Sequence, residues 1–286
     1  MEKIILRKKR EFGDLISDSF NYLREHFKPL FRILLSVPVP VILLGAIFIG
    51  LFYSNFFQTM TMYDPDELTG NLIQFFIGFL FYGIGSVLLH ATVVEYMKAS
   101  LNKTKNEITF NEVVDGLKKN FGRYLLSAII IFTLTFVGAM LCFIPGIWLS
   151  VVFSLYFFII AIEGKDTGEA FNRSFSLIRN FWWRSFGLFI LIGIIQTFLV
   201  YAVSLPISLL TGFITFSSEN TTEMTQATQN MMAYTTPITM VISSLVYSLV
   251  SIAAGINYFS IVEEKEEVGL KERIESKDTD EESKTN

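Results

Sequence analysis

The sequence predicts an all-α polytopic membrane bundle of six transmembrane helices, with three amphipathic helices on its cytoplasmic side. Three observations carry that prediction. Of 286 residues, 51% are hydrophobic and only 17% charged, against about 25% charged in an ordinary soluble domain. The apolar residues gather into six runs near the ~20 residues a helix needs to cross a hydrocarbon core of ~30 Å. The basic residues alternate between connections: Lys and Arg occupy 3–32, 98–123, 165–184 and 265–284, whereas 55–71, 142–146 and 215–236 hold none. Under the positive-inside rule this puts both termini and the even loops in the cytoplasm.

Phe12, Leu15, Ile16, Phe20, Leu23 and Phe27 recur at helical spacing and predict the first amphipathic helix, behind a basic segment 1–10. The first span is expected over 30–52, kinked by Pro38 and Pro40. The second, 72–96, is rich in glycine (Gly78, Gly83, Gly85) and ends among His90, Glu95 and Lys98. His90 is open to two readings, a proton or ligand site at membrane depth or a histidine bonded to a neighbouring carbonyl. The lack of an acid at i±3 or i±4 favours the second; Glu95 is expected to pair with a local cation such as Lys98 near the interface. Thr109 and Glu112 form a capping box, followed by the second amphipathic stripe of Phe110, Val113, Val114, Leu117 and Phe121. The third span, 124–143, turns at Ile144, Pro145 and Gly146 into the fourth, so tight a connection that the two form an antiparallel hairpin.

The fourth span is an uninterrupted apolar run, 147–162, ending on Glu163 and Gly164. Asp166 and Glu169 then signal a new helix start. The third amphipathic helix is expected over 167–182. Phe171, Phe175, Ile178, Phe181 and Trp182 lie on one side, and Asn172, Arg173, Ser176, Arg179 and Asn180 on the other. The fifth span, 187–212, carries Gln196 and Pro206; the sixth, 238–262, carries Ser244, Ser248, Ser251 and Gly255 at the small-residue spacing of close helix contacts. Gln196 and Asn257 are open to a substrate-ligand reading but read better as inter-helix hydrogen bonders, the common role of such residues in bundles. The segment 1–262 is expected to be a single integral membrane domain, and 263–286 an acidic cytoplasmic tail that extends the last helix at most briefly and is otherwise disordered. A faint repeat supports three units of one amphipathic helix and two spans: SFNYLR at 19–24 resembles SFSLIR at 174–179, and LKKNF at 117–121 resembles LIRNF at 177–181.

The net charge of −4, with an acidic tail, offers nothing to nucleic acid. The single cysteine, Cys142, makes no intrachain disulfide. The two histidines, His26 and His90, lie on different elements, and no metal-ligand spacing or nucleophile elbow occurs. No enzyme activity, metal or cofactor is therefore expected. The candidate site is polar rather than catalytic: Glu163, Arg173, Arg179 and Arg184 flank the third amphipathic helix and suit either contact with lipid headgroups or a structural ion-pair role. Arg173 and Arg184 would share a face if that helix were continuous. Expected partners are membrane lipids, anionic headgroups among them, and no protein partner is indicated.

Around this site the chain resembles a bacterial family. The Pro145-Gly146-Ile147 opening, the apolar run into Glu163-Gly164, Glu169-Ala170-Phe171 with Arg173-Ser174, and Phe181-Trp182 with Arg184 are similar to the membrane domains named after glycerophosphoryl diester phosphodiesterase. Related six-helix inner-membrane proteins share the pattern. The resemblance implies six helices in a bacterial inner membrane. In that family the phosphodiesterase chemistry belongs to a separate barrel following the membrane domain; residues 263–286 are too few for one, so the activity is not expected here. The functional expectation is a non-enzymatic membrane protein acting on or within the lipid phase, as a scaffold or envelope-homeostasis factor. The alternative is a transporter or exporter of a small amphipathic substrate.

Overall fold

The structure, a computed structural model, describes residues 5–62, 65–141, 143–217 and 220–267, and all regular structure among them is helical. In order come α1 (Phe12–Ser36), α2 (Pro38–Met62), α3 (Pro65–Ala99), α4 (Phe110–Leu141), α5 (Phe143–Phe153), α6 (Tyr156–Phe158) with a π-helical turn (Ile159–Glu163), α7 (Thr167–Ile178), α8 (Trp182–Phe216) and α9 (Thr221–Glu266). Six stretches are long and apolar enough to cross a membrane: Pro38–Phe56, Glu67–Ala99, Phe110–Leu141, Phe143–Glu163, Trp182–Phe213 and Glu223–Glu266. This fits a multi-pass membrane protein. The chain divides into two compact units, one of Met1–Phe27, Val94–Ile192 and Leu249–Asn286, the other of Lys28–Val93 and Gly193–Ser248.

In the second unit, the expected kinked span over 30–52 is instead the end of α1 followed by a new helix. Val37 closes α1 with its N–H on the Ile33 carbonyl at 3.0 Å, and α2 begins at Pro38. Proline disfavours the helical conformation of the residue before it and loses nothing at a first helical position, where its missing N–H has no partner to reach. Helices α2 and α3 cross where neither has a side chain: a Cβ on Gly45 would stand 2.7 Å from the Gly78 carbonyl, and one on Gly78 2.9 Å from the Gly45 carbonyl. Tyr82 on α3 meets the Ser244 hydroxyl on α9 at 3.2 Å.

In the first unit the second amphipathic stripe and the third span are one helix, α4, not two elements. The buried residues Val113, Leu117, Asn120, Tyr124 and Ser127 continue at i+3 and i+4 with no breaker among them. Only half of the capping box forms. The Glu112 N–H reaches Thr109 Oγ1 at 3.4 Å, while the Glu112 carboxylate turns to Lys103 Nζ at 2.8 Å. Pro145 and Gly146 lie in the first turn of α5, not in the connection before it; Cys142 lies outside the described residues. Gly146 permits the hairpin to close, since a Cβ there would meet the Ala139 Cα at 2.8 Å.

The fourth span is not continuous either. It breaks at Ser154 and Leu155, resumes as α6 and ends in the wider π-helical turn. The Ser154 hydroxyl bonds back to the Val151 carbonyl at 2.7 Å, competing with the helix ladder as serine does when it turns inward. Helix α7 stops at Ile178, so Arg173 and Arg184 do not ride on one helix. Helix α9 continues to Glu266, which makes the start of the expected tail helical; residues 268–286 lie outside the described set.

Candidate functional site

Glu163 closes the π-helical turn, and Gly164 at φ +68° redirects the chain, a left-handed conformation that glycine adopts without penalty. Two residues later Asp166 caps α7, its carboxylate accepting the Glu169 N–H at 2.9 Å. Tyr156 of α6 donates to the Thr167 carbonyl, tying the new helix back to the span. Once the cap fixes the register, Ala170, Ser174, Leu177 and Ile178 form the buried side of α7. Arg173 stands at the edge of that side and reaches backward.

The geometry around Glu163 is closed. Arg173 Nε donates to its two oxygens at 3.1 and 2.9 Å, and the Tyr258 hydroxyl donates to Oε1 at 3.0 Å. Arg173 Nη1 stands 2.7 Å from Glu266 Oε1. The bond to Glu266, and after it those to Glu163, hold the guanidinium above its ordinary range against the opposing pull of burial. Arg173 is thus a permanent cation bridging the end of the fourth span to the end of α9.

Arg184, in the first turn of α8, belongs to a different contact. Its Nη1 donates to Glu264 Oε2 at 2.9 Å, and its guanidinium carbon lies 4.6 Å from the centre of the Phe181 ring. Lys9 Nζ approaches the other Glu264 oxygen at 3.3 Å. Lys265 donates to the Ser176 carbonyl at 2.5 Å. Because residues 264 and 266 stand about 200° apart on a helix, the last turn of α9 is gripped from two sides. The N-terminal segment joins it through Arg10, whose fully buried guanidinium bonds the Ile5, Leu6 and Lys8 carbonyls and Asp18, while its N–H meets Ser260 Oγ at 3.1 Å. Arg179 is exposed at the end of α7, apart from these contacts.

Of the four residues singled out in the sequence, the structure joins Glu163 to Arg173, gives Arg184 another carboxylate and leaves Arg179 at the surface. Sequence reasoning missed Tyr258, Glu264 and Glu266. Their signal was the helical register past Val262: Tyr258 and Glu266 are eight residues apart, about 80° on an unbroken helix.

Two further polar clusters lie in the same unit. Glu95, only 4% exposed, accepts from Asn120 Nδ2 at 2.8 Å and the Tyr124 hydroxyl at 2.7 Å, while Lys98, its expected partner, stands farther off at 3.8 Å. His26 stacks on Tyr22 with ring centres 4.4 Å apart, and its Nδ1 meets the Tyr96 hydroxyl at 2.9 Å. Burial lowers His26 below its ordinary value, helped by the Lys105 charge and opposed by Glu25. His90 is half-buried and partnered. Asn257 bonds Ser185 at 2.8 Å across α9 and α8, the inter-helix role expected of it. Among the described residues no three of His, Cys, Asp and Glu come together as a metal-binding group.

Residues 38–260 match the family described as Domain of unknown function (DUF7847), and the chain belongs to that family. No curated protein and no solved structure matches the chain.

Proposed function

We propose that this DUF7847-family chain is a non-enzymatic membrane protein that associates with anionic lipid and serves as a scaffold in envelope homeostasis. Its resemblance to the membrane domains named after glycerophosphoryl diester phosphodiesterase supports the setting of a bacterial inner membrane, and the distribution of Lys and Arg supports cytoplasmic termini. The observation that carries the reading is the first half of α4. Its buried side is Val113, Leu117, Asn120 and Tyr124, and the other side exposes Lys118, Lys119 and Arg123 just before the apolar stretch begins. Cations at that level of a helix meet headgroup phosphates, each attracted by about 1 kcal/mol to an anionic surface. Arg179, exposed beside the tryptophan pair Trp182 and Trp183, extends the same chemistry. Arg173 is engaged by Glu163 and Glu266 and acts as the frame behind it.

The test is lipid retention. Protein extracted from membranes containing equal phosphatidylglycerol and phosphatidylcholine is expected to keep the anionic lipid several-fold in excess. Lys118→Glu with Lys119→Glu and Arg123→Glu is expected to abolish that excess, and the matching reversal at Lys271 and Arg273 to preserve it. Equal retention of both lipids by the unaltered chain would contradict the proposal.

The transporter reading draws on one observation of its own, the break at Ser154 and Leu155 with the π-helical turn behind it. Interrupted spans are how transporters line their substrate sites. Flux of an amphipathic dye into proteoliposomes, lost in Glu163→Gln, would favour it over the scaffold.

A further inference from the structure

Arg184 is bound on one side only. Its Nη1 holds Glu264 at 2.9 Å, yet its Nε and Nη2 are shielded from solvent and have no acceptor among the described residues. These two groups share one edge of the planar guanidinium, the edge that pairs with carboxylates and phosphates through two parallel hydrogen bonds. Buried donors left without an acceptor are costly, so this edge gains more from an incoming oxyanion than an ordinary surface arginine would. The surroundings suit an anion. Phe181 lies against the guanidinium at 4.6 Å, and Lys9, with a side chain 69% exposed, brings a second cation to 3.3 Å from Glu264. Trp183, 77% exposed, stands next in the chain, an aromatic residue of the kind enriched at headgroup level.

We infer that Arg184 and Lys9 form a binding site for a phosphate oxyanion, and that Glu264 is its built-in competitor. The carboxylate of Glu264 already spans the two cations, one oxygen to each. It sits in the last turn of α9, which ends at Glu266. Helix ends open at small free-energy cost. When that turn loosens, Glu264 withdraws from Nη1, and a phosphate takes its place between the two cations, the freed guanidinium turning to offer its two unused donors. The phosphate could belong to a lipid headgroup or be free in solution; the chemistry is the same. The headgroup source rests on the anionic-lipid reading above, whereas the site itself does not.

Trp182 and Trp183 stand beside Arg184, so intrinsic fluorescence of the full-length chain in neutral detergent reports on the site. The probes are dihexanoyl phosphatidic acid, inorganic phosphate and, as control, dihexanoyl phosphatidylcholine. A saturable change with phosphatidic acid is expected, with half-saturation about tenfold lower in Glu264→Gln and no change left in Glu264→Gln with Arg184→Gln. Arg184→Lys, which keeps the charge and loses the paired donors, is expected to bind more weakly than the unaltered chain. A response to phosphatidic acid alone assigns the headgroup, a response to phosphate as well assigns a soluble source, and both uphold the site. Should Glu264→Gln fail to fold, Lys9→Gln, at an exposed position, must still weaken binding several-fold. Identical titrations for the unaltered chain and Glu264→Gln, or binding that survives Arg184→Gln, would overturn the inference. Neither result depends on Lys118, Lys119 or Arg123, so lipid retention can fail while this site stands, and the reverse.

Discussion

His26 shows how one buried ring becomes a pH-dependent term. It is packed on Tyr22, bonded to Tyr96 and held below the ordinary histidine value of 6.5 by burial. Below about pH 6.5 the unfolded chain takes up a proton that the folded chain refuses, so the unfolded state binds more protons and stability rises with pH across that window. The thermal midpoint in detergent is expected to fall as pH is lowered from 7.5 to 5.5, and His26→Phe is expected to flatten that dependence. A midpoint whose slope is unchanged by the substitution would assign it to other groups. At this scale the sequence was partly legible. Asp166 announced the cap and Asn257 the inter-helix bond, both from local pattern. The donors to Glu95 could not be read, because Asn120 and Tyr124 lie on another helix and only packing brings them to it.

Between elements, the close contact of α3 with α4 rests on a glycine. A Cβ on Gly116 would stand 2.6 Å from Glu95 Oε2, whereas a Cβ on Gly122, farther along the same helix, would meet nothing within 4 Å. Alanine inside a helix is otherwise favoured over glycine by about 0.5–1 kcal/mol. Gly122→Ala is therefore expected to raise the thermal midpoint and Gly116→Ala to lower it, by displacing the carboxylate from Asn120 and Tyr124. Equal shifts of the same sign would show that the α3–α4 contact is looser than described. The spans themselves were legible from apolar length. Their interruptions were less so: Pro38 was visible but read as a kink, and nothing in the apolar run 147–162 beyond Ser154 marked the break there. The fusion of the 110–121 stripe with the third span followed from an absence of breakers, a weaker signal than the change in composition that seemed to divide them.

At the scale of the molecule, six apolar helices and the segregation of charge define its relation to a membrane. The last turn of α9 gathers Arg173, Arg184 and Lys9, and its own Lys265 donates to the Ser176 carbonyl. Composition allowed that turn to extend the last helix but gave no sign of its ion pairs, because Glu and Lys in sequence look the same whether they meet water or arginines of the same fold. The account as a whole depends on one orientation, with α7, the cationic face of α4 and both termini toward the cytoplasm. Cysteine labelling tests it most directly. In a Cys142→Ser background, a cysteine at Asp66 is expected to react with a membrane-impermeant maleimide applied to intact cells, and one at Lys105 to react only after the membrane is opened. Labelling of the Lys105 position from outside, with the Asp66 position protected, would invert the topology and contradict the proposal that this basic face meets anionic lipid in the cytoplasmic leaflet.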